Sequence, residues 1–275
     1  MKLPKQRGAP IDGARMREWL DDFAGYRVNV TEGRIDRWID QFGTKHRDLS
    51  ARVLDSVEFV SRSRVATAFR QGLRCIPGWH SRAAKRKGKW VFVPFTASAG
   101  ESGDTMCHEF RIANGMGNRK FDNLFKYKSD LPDERLGPKD TVIFIDDFAG
   151  TGDQAIDHWE RVLSELLPQQ PTTYLVLLMA NVGARRKISR NTEMIVLADT
   201  ELRDSDNIFH VGCTHFSIAD KKHLLKLCRR AKQDEPRGYG NSGLLLVFSH
   251  RCPNNSIPIL HESNRRWEGL FRRSA

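Results

Sequence analysis

Long apolar runs are missing from this 275-residue chain. None approaches the roughly 20 residues that a membrane-spanning helix needs, so no membrane partner is expected. Cysteine is scarce too. Cys75, Cys107, Cys213, Cys228 and Cys252 make five, and no two stand as Cys-x-x-Cys. An odd count without that spacing argues against a disulfide framework and a structural zinc site, and predicts buried, reduced thiols. The polar start, Met1 to Arg7, has no signal-peptide core behind it, so a cytoplasmic location is expected. An acidic surplus is also lacking: 45 Lys and Arg face 34 Asp and Glu, for a net charge of +11. The bases gather at 82–89, 185–190, 221–232 and 265–273. Any one cluster is more often a solvated face, but the total favours a polyanionic partner.

What is present is a change of rhythm along the chain. Residues 1–13 read as a disordered leader. Residues 14–73 carry the i, i+3, i+4 stripes of amphipathic helices, with Trp19, Phe23, Ile35, Trp38, Leu49, Val53 and Phe69 facing inward. The sequence thus predicts an N-terminal helical subdomain over 14–80. A Gly-, Pro- and Lys/Arg-rich connection leads to an α/β domain over 90–262. Strands are expected at 90–95, 124–127, 142–145, 172–179, 194–198 and 244–249. Helices are expected at 107–114, 155–167, 184–189 and 221–232, and 263–275 reads as a basic tail. Strands alternating with helices predict a mostly parallel, doubly wound sheet, with the ligand at the carboxyl ends of the strands.

One stretch concentrates the chemistry. Val142 to Ile145 is an unbroken apolar run, as in a strand buried on both faces. Asp146 and Asp147 end it, Ala149-Gly150-Thr151-Gly152 turns, and a helix pattern begins near Gln154. Such a turn offers backbone N–H groups to a phosphate. The adjacent acids can hold ribose hydroxyls or a hydrated magnesium ion. Asp21 to Gly25 repeats the letters of Asp146 to Gly150 but follows a helical pattern and leads into Tyr26, so it reads as a helix end.

Apolar strand, Asp-Asp, small residues, Thr-Gly and helix together resemble the signature of type I phosphoribosyltransferases. That resemblance implies that Asp146 and Asp147 bind the ribose hydroxyls of phosphoribosyl pyrophosphate. It makes Ala149, Gly150, Thr151, Gly152, Asp153 and Gln154 the 5′-phosphate loop. It also implies a pyrophosphate loop within 96–104, drawing on Ser98, Ala99, Gly100, Ser102 and Gly103, and a catalytic lid over 129–140. More of the chain resembles the phosphoribosyltransferase-like effectors of bacterial antiphage conflict systems, some encoded beside retron reverse transcriptases. The features that carry this are Trp38 to Phe42, Phe110 to Asn114, the Asp146–Gly152 motif, Gly238-Tyr239-Gly240, and Cys252 to Leu260 with its Pro-Asn-Asn-x-x-Pro core. The resemblance implies a defence role, magnesium held through the ligand and the two acids, and a nucleoprotein partner such as a reverse transcriptase with its RNA/DNA product.

Some positions depart from the transferase pattern. Gln154 stands where a phosphate-binding Thr or Ser is usual, Asp153 adds repulsion, and 96–104 has no Lys or Arg. Arg111 is a candidate cationic helper, as are Lys128 and Arg135. These departures widen the ligand to a nucleotide or nicotinamide dinucleotide and leave binding without chemistry open. His250, Asn254 and Asn255 are candidate pocket-roof residues, although a core histidine and backbone-bonded turn asparagines are the plainer reading. Two function classes follow: an enzyme that transfers or cleaves a ribosyl group, and a degenerate nucleotide sensor that docks onto nucleic acid through its basic surface. A magnesium-dependent phosphohydrolase or nuclease ranks third, since it needs a further acid and only Asp199 offers one.

Overall fold

A computed structural model describes residues 2–96 and 102–273. The chain forms two compact units, residues 63–202 and residues 1–62 together with 203–275.

Residues 63–202 hold the sheet. The unit takes up α4 (Arg62–Arg74) from Ser63 onward, followed by β2 (Trp90–Pro94), α5 (Gly103–Ala113), α6 (Leu131–Glu134), β3 (Thr141–Ala149) and α7 (Asp153–His158). A π turn at Trp159–Leu163 links α7 to α8 (Ser164–Leu166), and β4 (Thr172–Asn181), α9 (Val182–Asn191) and β5 (Ile195–Leu202) complete it. The strands lie in the order β2-β3-β4-β5, all parallel. Val142 to Ile145 are at most 1% exposed, as an apolar run buried on both faces requires. Ala155, Ile156, Trp159 and Leu163 pack with Ala184 and Ile188 on one set of strand side chains, Val91, Val93, Val142, Phe144, Leu175 and Leu177. Phe110 of α5 instead meets Phe92, and Phe69 of α4 meets Phe110, at ring distances of 5.3 and 5.5 Å. Phe92 alternates with Val91 and Val93, so these two helices cover the opposite face. The doubly wound α/β arrangement expected from the sequence is present.

The expected strand at 124–127 shrinks to a single parallel bridge, Phe92 to Phe125, closed by Lys126 N–H on the Phe92 carbonyl at 3.0 Å. Lys89 O and Phe95 N bond to β3, so Phe92, three residues from each, directs its carbonyl to the far edge of β2. The chain therefore passes to one side of β2, then returns to build β3 on the other. That reversal is the switch point at which ligands sit in open α/β sheets. The polar segment expected as a lid contains α6 and buries Leu131 and Leu136 in the sheet's core.

The other unit contains α1 (Gly13–Asp22), α2 (Glu32–Asp40), α3 (Arg47–Asp55), β1 (Glu58–Val60), α10 (Ile218–Ala231), β6 (Leu246–Phe248), β7 (Ser263–Asn264) and β8 (Trp267–Glu268). Its core gathers Trp19, Phe23, Trp38, Trp267 and Phe271. The Trp38 and Trp267 indoles both donate to the Ile259 carbonyl, at 2.7 and 2.9 Å. The late strand, β6, pairs with β1 and not with the four-stranded sheet. The leader expected to be disordered has fixed partners. Lys5 and Gly8 donate backbone N–H to Asp55 and Asp48, and Asp55 also pairs with the buried Arg15. The expected basic tail inserts Trp267, Leu270 and Phe271 into the core. Composition showed the arginines of that segment, while its buried side chains are the apolar residues between them.

Candidate functional site

β3 runs four residues beyond the apolar segment, in register with β4 as far as Ala149 opposite Ala180. Asp146 and Asp147 are therefore held by a paired strand, half-buried at the sheet's carboxyl end. α5 starts against the end of β2. A Cβ on Gly103 would stand 2.5 Å from the Phe95 carbonyl, so only glycine permits that approach. This junction delivers Ser102, whose hydroxyl lies 2.8 Å from Asp146 Oδ1 and 2.9 Å from Asp147 Oδ1. Asp147 N–H donates to the same Asp146 oxygen at 2.9 Å.

Ser102 has one proton to give and two carboxylates to serve. Burial first, and the Asp147 charge second, hold the Asp146 carboxyl well above its ordinary value, while the Ser102 hydrogen bond pulls the other way. Two carboxylates this close present neighbouring acceptors, which suit a sugar's vicinal hydroxyls or a cation.

The bend after β3 is built for close approach. Gly152 has φ +81°, and a Cβ there would press on Ala184 O and Ile188 Cγ1 at 3.1 Å, where α9 packs. Thr151 Oγ1 accepts from Asp153 N–H at 3.3 Å. Asp153, which looked repulsive to phosphate, forms an ion pair with Lys187 of α9. Lys187 first and Thr151 second hold its carboxyl below the ordinary value. Lys187 lies 34 residues further along the chain, and no local pattern in the sequence joins it to the bend.

Of the expected pyrophosphate loop, Ser102 and Gly103 are brought to the acids, while Ser98, Ala99 and Gly100 lie outside the described residues. Arg111 is occupied elsewhere. It pairs with Asp122, donates to Met116 O and covers the Phe125 ring. Lys128 is the cation beside the first loop, with Nζ 2.7 Å from Thr96 O. Arg135 is exposed, in the left-handed conformation that closes α6.

His250, Asn254 and Asn255 belong to the other unit. The His250 ring stacks on Phe248 at 5.4 Å. Asn255 Nδ2 donates to Tyr239 O and Ser242 Oγ at 3.2 and 2.9 Å, and Asn254 O accepts from Tyr239 N at 2.8 Å. Both asparagines thus tie one turn to another.

Asp199 is exposed and bonds to Thr200. Among the described residues no three His, Cys, Asp or Glu side chains gather as metal ligands. No helix among those residues is long and apolar enough to cross a membrane.

The PRTase-CE family model matches residues 35–273. Among solved structures, orotate phosphoribosyltransferase from Aeropyrum pernix is similar at 16% identity and a TM-score of 0.32, over 51% of this chain and 72% of that one. No curated protein matches.

Proposed function

For a chain that belongs to the PRTase-CE family, hence a phosphoribosyltransferase-like protein, we propose that Asp146 and Asp147 grip the ribose of a phosphorylated ribosyl ligand and that the protein transfers or cleaves that ribosyl group. The observation that carries the proposal is the Ser102 hydroxyl within 2.9 Å of both carboxylates at the switch point of the sheet. The ribose hydroxyls would donate to the carboxylate oxygens beside Ser102. The amides of Ala149 to Gln154 and the Thr151 hydroxyl would face the 5′-phosphate, with Asp153 neutralised by Lys187.

Ribosyl transfer develops positive charge at the ribose carbon as its substituent leaves. The twin carboxylates would fix the sugar and add negative field beside that carbon. Lys128 would meet the departing anion at the first loop. Magnesium fits the donor set: two carboxylates and one hydroxyl supply few ligands, as suits an ion completed by ligand oxygens. When bound, it would neutralise the leaving group. Phosphoribosyl pyrophosphate and nucleotides both meet these requirements. A role in antiphage defence, with a nucleoprotein partner in the cytoplasm, belongs to the same proposal and stems from the sequence resemblance.

Gln154 at the end of the bend favours a second reading, a nucleotide sensor without turnover. One experiment separates the two. Nucleotide pools are profiled in cells expressing the wild type and Asp146→Asn/Asp147→Asn at equal folded levels. Depletion or modification of a nucleotide by the wild type alone supports catalysis. Unchanged pools, with nucleotide binding lost in the purified double variant, support sensing. Unchanged pools and unchanged binding overturn the ribose site itself.

A further inference from the structure

The basic clusters differ in how much of their charge is already neutralised. Arg185 pairs with Glu201, Lys187 with Asp153, Lys232 with Glu235 and Arg272 with Glu268. On the outer face of α10 no such partner stands among the described residues. Lys222, Lys226, Arg229 and Arg230 are exposed and fall within about 100° of arc on an α-helix. The other helical residue on that arc is Ala219, so the stripe carries no carboxylate. Among the described residues, none of these four cations has an ion-pair partner. Asp220, the acid in the helix's first turn, is held on another side, its carboxylate accepting from Arg52 at 3.1 Å and from the Ser217 N–H at 3.0 Å.

The β7–β8 hairpin extends the charge. Asn264 Nδ2 donates to the carbonyls of Arg230 and Ala231 at 3.2 and 2.8 Å, and Arg230 Nη2 reaches Arg266 O at 3.3 Å. These bonds lock the hairpin turn to the end of α10 and set exposed Arg265 and Arg266 next to Arg229 and Arg230. Six cations thus share one fixed surface, although like charges repel. Arg229 and Arg230 suit the negative end of the helix dipole. That accounts for two of the six.

We propose that this surface, the outer stripe of α10 with the β7–β8 turn, binds the phosphate backbone of duplex DNA. From Lys222 to Arg230 the stripe runs about 12 Å at 1.5 Å per residue. One DNA strand presents three to four phosphates over that length, at about 3.4 Å each. A duplex fits better than a single strand because the surface offers no stacking platform. His223 and Trp267 beside it are half-buried and buried, whereas single-strand sites expose aromatic rings to successive bases. Duplex RNA is read largely through its 2′-hydroxyls, and the helical arc carries no neutral hydrogen-bonding side chain. The surface lies in the unit that does not contain Asp146, so it stands or falls apart from the ribose reading.

The test is the salt dependence of binding to a 20-base-pair DNA duplex, measured by fluorescence anisotropy with the full chain. Six neutralised phosphates give a slope of log K against log salt near −5, from about −0.9 per phosphate. Lys222→Gln/Lys226→Gln/Arg265→Gln should flatten that slope to about −3, with folding checked by circular dichroism. Arg82→Gln/Lys85→Gln/Lys87→Gln removes the same charge from another exposed cluster and should leave the slope unchanged. The proposal is overturned if both triple variants flatten the slope equally, if the wild type does not bind, or if duplex RNA, single-stranded DNA or phosphatidylserine vesicles of matched charge bind more tightly than the duplex.

Discussion

Replacing Asp147 by asparagine should make the unliganded protein more stable while it loses its grip on a ribose. Both acid oxygens lie within 2.9 Å of one hydroxyl oxygen, so they are less than about 6 Å apart, where two unit charges repel by about 3 kcal/mol at an effective dielectric near 20. Asparagine keeps the size and a polar contact for Ser102 and removes the repulsion. The variant should therefore gain about 2–3 kcal/mol in unfolding free energy at pH 8, read by urea denaturation. The sign with pH follows from linkage. The folded protein holds the Asp146 proton more tightly than the unfolded chain does, so the wild type gains stability as pH falls and loses it as pH rises through the raised value. The gap between variant and wild type should accordingly narrow on acidification. In the presence of a phosphoribosyl ligand with magnesium the order should reverse, because only the wild type gains binding free energy. Equal stability at pH 8, with equal slopes against pH, would show that the two carboxylates do not repel and would remove the physical basis of the site.

Three further outcomes are expected. Gly152→Ala puts a side chain at φ +81° against Ala184 and Ile188; it should cost about 1–3 kcal/mol and weaken phosphate-bearing ligands, measured by denaturation and calorimetric titration. Lys128→Gln should weaken a ligand carrying a pyrophosphate at the ribose C1 more than one carrying the 5′-phosphate alone, measured by competition binding. His261 is buried, and burial, which disfavours its charge, pushes its pKa down to about 4. The unfolded chain takes up that proton first, so stability falls as pH drops below the ordinary histidine value. Between pH 7.5 and pH 5 the wild type should lose about 2 kcal/mol more than His261→Gln, read by denaturation at both pH values; parallel pH profiles would contradict it.

The sheet was legible because its strands announce themselves. Val142 to Ile145 and Leu175 to Met179 are apolar on both faces, and alternation with helices fixes the class. The acid pair and the bend were legible for the same reason, since strand, carboxylates and glycines are consecutive. What joins distant segments was not. Ser102 stood in a loop of several small residues, and only the close approach at Gly103 selects it. Lys187 meets Asp153 across a helix–strand–helix interval. β1 is three residues long and follows a helical stripe without a break, so periodicity absorbed it. The tail was misjudged because arginines dominate its composition, whereas Trp267, Leu270 and Phe271 determine where it goes.

The shared carbonyl of Ile259 has a temporal consequence. One indole that reaches it, Trp38, precedes the sheet-bearing segment in the chain, and the other, Trp267, follows it. The unit they close is interrupted by the entire sheet-bearing segment, residues 63–202. During synthesis α1–α3 must wait for roughly 140 residues before their counterparts emerge, with apolar faces uncovered, while the parallel sheet can already assemble. Loss of β7 and β8 should therefore be felt first at α1–α3, which would have nothing to close upon.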